Sequence, residues 1–145
     1  MTPRPGSGDV TLPELAGALI ASFEGCKLTA YQDPGGVWTI GRGHTGPVNG
    51  AKLGPGMTIT QQQAEELFVA DQAHLFAMVQ DRPLLEAAAL VSFGYNCGAG
   101  ALQRVLIGMA DMRDFNHAGG QVLDSVTRRR ELEWTLVALS QQEQG

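Results

Sequence analysis

Glu24 and Asp33 are the two carboxylates whose setting could support catalysis. Leu12, Leu15, Leu19 and Phe23 recur at helical spacing and Gly25 is a natural helix stop, so Glu24 is expected at the last turn of a helix. Asp33 opens the turn sequence Asp33-Pro34-Gly35-Gly36, which lies between two β-prone runs at 28–31 and 37–40. The two groups therefore cannot share a helix face. A chain that leaves a helix, runs out as a strand and turns at Asp33 can instead bring them to face each other across a gap. Glycoside hydrolysis needs such a pair: one carboxylic acid protonates the leaving oxygen, and one carboxylate activates water or stabilises the cation. A carboxyl group at a helix C-terminus meets the negative end of the helix dipole, which suits Glu24 to the role of acid. A Glu at a helix end and an Asp before a Pro are also ordinary cap and turn residues, so spacing alone does not decide.

The elements that would position these residues follow from local signals. Residues 1–10 are rich in Pro, Gly and Ser and read as a flexible tail. Thr11-Leu12-Pro13-Glu14 and Thr60-Gln61-Gln62-Gln63 both read as capping boxes. The first opens the helix over 11–24, and the second opens a helix running to about residue 80. Residues 84–97 are apolar almost all round, which predicts a helix buried on every side and stopped by Gly98. Shorter helices are expected over 102–109 and 128–139. The hairpin, with a third short strand after Gly46, makes a small three-stranded antiparallel sheet. The expected fold is α+β, a single domain over 11–145. Its small lobe covers about 24–60. A mostly helical larger lobe covers about 61–145 together with the helix at 11–24.

Composition narrows the function classes. The chain has 145 residues, 43% of them hydrophobic and 17% charged, enough to fill a core. A net charge of −5 argues against nucleic-acid binding, since no broad basic surface is available to neutralise phosphates. The one basic cluster is Arg128-Arg129-Arg130. The three histidines are not spaced as metal ligands, so neither a metal nor any other cofactor is expected. Cys26 and Cys97 could form one bridge, but two free thiols are the favoured reading. The longest apolar run, 15–23, includes Gly17 and Ser22 and is too short to span a membrane. No signal peptide is evident at the N-terminus.

The run Glu24-Gly25-Cys26-Lys27-Leu28-Thr29-Ala30-Tyr31-Gln32-Asp33, followed by Gly36-Val37-Trp38-Thr39-Ile40-Gly41-Arg42-Gly43-His44-Thr45, closely resembles the active-site signature of the phage lysozymes, the endolysin family of glycoside hydrolases. The likeness extends to Ile59-Thr60 with Ala64-Glu65, Leu67 and Asp71. It continues through Leu90-Val91-Ser92-Phe93, Asn96 and Gly98, and through Gly119-Gly120 with Arg129-Arg130 and Glu133. The resemblance implies a lysozyme that cuts the β-1,4 bond between N-acetylmuramic acid and N-acetylglucosamine in bacterial peptidoglycan. Glu24 would be the acid, Asp33 the base or electrostatic partner, and Thr39 the residue that positions the attacking water. It also implies that Arg129 pairs with the catalytic Glu, that His44 and Asp71 form a supporting ion pair, and that Asn96 and Gly98 belong to the cleft wall; Tyr31 and Asn96 are candidate substrate-binding residues, for which an ordinary packing role is the alternative. The protein is then expected to be a monomer without stable membrane insertion, made in the host cytoplasm and acting on the cell wall after release. Its negative charge sits awkwardly with an anionic wall, so any attraction must be local. The sequence departs from the family at Ser125, usually Gly, and in the shorter segment 103–117, where one helix or turn of the larger lobe is expected to be missing.

Two rivals compete with this reading. Gly41-Arg42-Gly43-His44-Thr45-Gly46 also matches a dinucleotide fingerprint, but Pro47, Gly50, Gly54, Pro55 and Gly56 forbid the helix that must open there to hold a pyrophosphate. The other rival is a catalytically weak or inactive peptidoglycan-binding module of the same fold, against which the intact Glu24, Asp33 and Thr39 argue.

Overall fold

A computed structural model of the chain describes residues 9–118, 121–122 and 124–144. Of the expected tail only Asp9 and Val10 fall in that range, and Gly119 and Gly120 lie outside it. The described chain forms helices α1 (Leu12–Phe23), α2 (Gln61–Met78), α3 (Leu84–Cys97), α4 (Ala99–Leu106) and α5 (Asp124–Gln144). Strands β1 (Lys27–Gln32), β2 (Trp38–Gly41), β3 (His117–Ala118) and β4 (Gln121–Val122) pair as two antiparallel hairpins. This is the expected α+β class. Among the described residues no helix is long and apolar enough to cross a membrane.

The chain divides into two compact units, Met1–Ile20 with His74–Gly145, and Ala21–Ala73. In the second unit, β1 and β2 pair with Tyr31 opposite Thr39 and Gln32 opposite Trp38, with a register irregularity between Lys27 and Tyr31. Alternate residues of a strand face opposite sides. Ala30 and Ile40 thus turn toward a small core with Leu53, Ile59 and Ala64, while Tyr31 and Thr39 share the other face. At Thr60 the capping box closes in both directions: Thr60 N–H donates to the Gln63 side chain at 2.8 Å, and Gln63 N–H donates to Thr60 Oγ1 at 3.1 Å. The first box forms by half, with Glu14 N–H donating to Thr11 Oγ1 at 3.3 Å.

The third strand is a correction. After Gly46 the chain makes only a tight turn, in which Val48 and Ala51 exchange two backbone hydrogen bonds of 2.9 Å around Asn49 (φ 50°) and Gly50 (φ 79°). An Asn-Gly pair is suited to this turn because both central residues need positive φ. What lines up beside β1 is a single bridge, Thr29 to Thr58, flanked by Ala30 N–H to Met57 O and Leu28 O to Ile59 N–H. Gly54, Pro55 and Gly56 immediately before it break any longer strand.

In the other unit, α3 is the central element, buried from Glu86 to Gly94 and packed against α4 and α5. Gly98 ends it with φ 96°, as the sequence predicts, and also leads into α4. α4 therefore starts earlier than expected and ends at Leu106 rather than 109, because Gly100 is tolerated in a first turn. α5 is longer than expected at both ends: Asp124 suits its N-terminus, and the Gln- and Glu-rich sequence of its end keeps helical propensity. In the short 103–117 segment a single 3-10 turn, Met112–Asp114, follows α4. The hairpin β3–β4 has no counterpart among the expected elements.

Candidate active site

Glu24 is the first residue past α1, half-buried, one position beyond the last turn where the sequence puts it. Asp33 sits at the hairpin turn, and the turn itself holds its carboxylate. Oδ1 accepts the backbone N–H groups of Gly35 and Val37, both at 2.9 Å, in an Asx-type turn. The Asp33 N–H donates to Val37 O at 2.9 Å, and Gly36 N–H donates to Asp33 O at 2.8 Å. Among the described residues Oδ2 carries no hydrogen bond. The carboxylate is thus anchored by one oxygen and can work with the other.

Thr39 is 4% exposed. Its hydroxyl donates to Val37 O at 3.0 Å, which commits the proton and leaves the lone pairs to accept. Tyr31 lies directly across the hairpin from Thr39. Burial raises the ionisation of its phenol above the ordinary range, and after burial the charges of Glu24 and then Asp33 raise it further. Tyr31 is therefore the residue at which the influence of both carboxylates meets.

His44 and Asp71 come together as expected, with His44 Nδ1 at 2.8 Å from Asp71 Oδ2. Nε2 of the same ring lies 3.2 Å from Pro47 O. Both partners are acceptors, so each contact needs a proton on the nitrogen that faces it. The glycines around His44 have a local purpose. Gly41 (φ 66°) and Gly43 (φ 88°) let the chain reverse so that Ile40 and His44 exchange two backbone bonds of 2.9 Å. The dinucleotide rival fails here, since the next helix opens only at Gln61.

Asn96, Gly98 and Arg129 belong to the other unit. Asn96 Oδ1 accepts from Arg130 Nη2 at 2.6 Å, and Gly98 is the joint between α3 and α4. Arg129 is buried beside Glu133, with Nε 3.2 Å from Oε2, and it also donates to the carbonyl and hydroxyl oxygens of Ser92. Arg130 Nε lies 3.2 Å from Glu133 Oε1, and its guanidinium covers the Phe93 ring at 5.0 Å. Burial pushes the Glu133 carboxyl up, against the pull of the two arginines and Ser92. Cys26 and Cys97 are both free thiols, as favoured from the sequence. Arg130 donates to Cys97 Sγ at 2.9 Å, yet burial still raises that thiol. A cavity of about 520 Å³ opens in this unit beside the short segment, lined by Leu90, Val105, Met112 and Trp134 among others. It contains none of the expected catalytic side chains, and chemistry rather than volume marks the site.

Sequence reasoning missed one neighbour of the candidate site residue Tyr31. The Lys27 ammonium lies over the Tyr31 ring, 4.4 Å from its centroid. The available signal was their separation of four positions, an even spacing that puts two residues on the same face of a regular strand.

Comparison with known proteins agrees with this architecture. The sequence profile named Phage lysozyme matches residues 21–133. The endolysin of Lactococcus phage c2 is 36% identical over 135 residues, a match covering 81% of this chain and 56% of that protein. The chain thus spans little more than half the length of that relative. Among solved structures, the endolysin from Escherichia coli O157:H7 phage FAHEc1 is similar at 29% identity and a TM-score of 0.70, over 90% of this chain and 94% of that one. The muramidase domain of SpmX from Asticaccaulis excentricus is similar at 30% identity and a TM-score of 0.65, over 89% and 98%. The chain belongs to the phage lysozyme family.

Proposed function

We propose that this protein is a muramidase that hydrolyses the β-1,4 bond between N-acetylmuramic acid and N-acetylglucosamine in bacterial peptidoglycan. Glu24 gives its proton to the glycosidic oxygen as the bond to the anomeric carbon breaks. A water attacks that carbon and passes its proton to Asp33. Thr39 orients this water: with its own proton held by Val37 O, it can only accept, so the water donates to Thr39 and to Asp33 and turns a lone pair toward the sugar. The observation that carries the reading is the division of labour at Asp33, anchored through Oδ1 by the turn and open at Oδ2. The relatives named endolysin and muramidase support the same chemistry. Asn96, Gly98 and Arg129 complete the substrate-binding and supporting set, and no cofactor takes part. The protein acts as a monomer on the wall after release from the host cytoplasm.

The test is digestion of purified peptidoglycan with mass analysis of the fragments, and NMR of the product formed first. Reducing-end N-acetylmuramic acid released as the α anomer is expected, since a water held beside Asp33 inverts the β linkage. Fragments ending in N-acetylglucosamine, or cleavage of peptide bonds alone, would overturn the bond assignment. An initial β product would overturn the role given to Asp33 and Thr39.

A further inference from the structure

An acidic chain acting on an acidic polymer needs a local cation, because like charges otherwise oppose encounter and binding. The need is sharpest where the substrate meets Glu24 and Asp33. Three cations belong to this unit: Lys27, Arg42 and Lys52. Arg42 is taken, its guanidinium 3.0 Å from Glu65 Oε1 and its plane near the Phe68 ring. Lys52 lies outside β1 and β2. Lys27 is exposed at the start of β1, forms no ion pair among the described residues, and rests on the aromatic face of Tyr31. A cation on an aromatic face keeps its charge and much of its hydration, and it can be drawn off by an anion without breaking a salt bridge. Tyr31 also sits opposite Thr39, so the charge lies along the strand face that carries the proposed water.

We propose that Lys27, held over Tyr31, is a specificity-determining residue that receives a carboxylate on the muramoyl side of the glycan. This rests on the muramidase reading above. Two sources offer that chemistry: the lactyl group of the sugar itself, and the stem peptide attached to it. The ammonium offsets the repulsion that the Asp33 carboxylate exerts on such an anion, and so it favours an acidic glycan over an uncharged one of the same shape.

The experiment compares glycan strands stripped of stem peptides, whose lactyl carboxylates are free, with strands that keep them. Each is assayed before and after conversion of its carboxylates to methylamides, and new reducing ends are counted. For the wild type, the KM should be about threefold lower on a carboxylate-bearing form than on its amide, the scale of one exposed ion contact. Which strand type shows the difference identifies the source. In Lys27→Gln that ratio should fall close to one, and in Lys27→Arg it should return. Lys52→Gln removes the same charge elsewhere and should keep the wild-type ratio. A wild-type ratio near one, a ratio that survives in Lys27→Gln, or one lost equally in Lys52→Gln would each overturn the inference. Cleavage of no strand by the wild type would instead overturn the muramidase reading, and this inference with it.

Discussion

Asp33 and Val37 are bonded in both directions across the hairpin turn: the Asp33 N–H donates to Val37 O, and the Val37 N–H donates to Asp33 Oδ1, each at 2.9 Å. The carboxylate therefore has a structural task on Oδ1, and the proposed mechanism gives the chemical one to Oδ2. Asp33→Asn keeps an oxygen for the turn and loses the charge. It is expected to lower stability by less than about 1 kcal/mol while lytic activity falls by about a hundredfold. Asp33→Ala should lose activity and also about 1 kcal/mol of stability, as two N–H groups lose their acceptor. Thermal unfolding with a wall-turbidity assay separates the two effects. An Asn variant with wild-type activity would remove Asp33 from the mechanism.

Glu24→Gln keeps the shape of the side chain and removes the proton donor. Without protonation the leaving oxygen departs as a poor alkoxide, so activity should drop by about a hundredfold or more in a folded protein. Retention of even a third of the activity would exclude Glu24 as the acid.

Tyr31 reports on both carboxylates. Its folded ionisation lies above the ordinary value because of burial, Glu24 and Asp33, in that order. The associated stability is fully present below the unfolded value of about 10 and is lost as pH rises through the folded one. In a Tyr95→Phe background, tyrosinate absorbance should titrate at lower pH in Glu24→Gln than in the parent. Adding Asp33→Asn should lower it again, with the share due to burial remaining. An unchanged titration in the double variant would place the phenol out of reach of the pair.

The 2.8 Å contact between His44 and Asp71 is a test of supporting structure. The side chains are 11% and 29% exposed, so solvent screens the pair only in part. A cycle of His44→Asn, Asp71→Asn and the double variant should give a coupling of about 1 kcal/mol near neutral pH. Strict additivity in denaturant unfolding would mean that the contact contributes nothing.

Glu133 holds two buried guanidiniums. It is itself 0% exposed, with Arg129 at 6% and Arg130 at 0%. Glu133→Gln removes a buried carboxylate that both guanidiniums contact. The expected loss is about 3–5 kcal/mol, read as a fall in the denaturant midpoint. A loss below about 1 kcal/mol would show that Glu133 is not what stabilises the buried arginines.

Features closed within a few residues were legible in the chain. Thr60 with Gln63, Gly98 at the end of α3 and the Asp33-Pro34-Gly35-Gly36 turn each complete their own hydrogen bonds locally, so residue type and spacing suffice. The catalytic candidates were legible for a related reason, since Glu24, Asp33 and Thr39 fall within one short run around a single hairpin. Tertiary structure decided what depends on register and packing between distant segments. The third strand shrank to the bridge between Thr29 and Thr58, because its length is set by how far the chain around Gly54 and Pro55 can stay alongside β1. α5 outran its apolar pattern because polar residues continue a helix without needing a partner. Asn96, read from the sequence as a cleft residue, accepts a hydrogen bond from Arg130, and Glu133 is enclosed by Arg129, Arg130 and Ser92. The Asn96–Arg130 and Ser92–Glu133 contacts join α3 to α5 across more than thirty residues of chain, and nothing in the local sequence determines which polar groups meet when two helices pack.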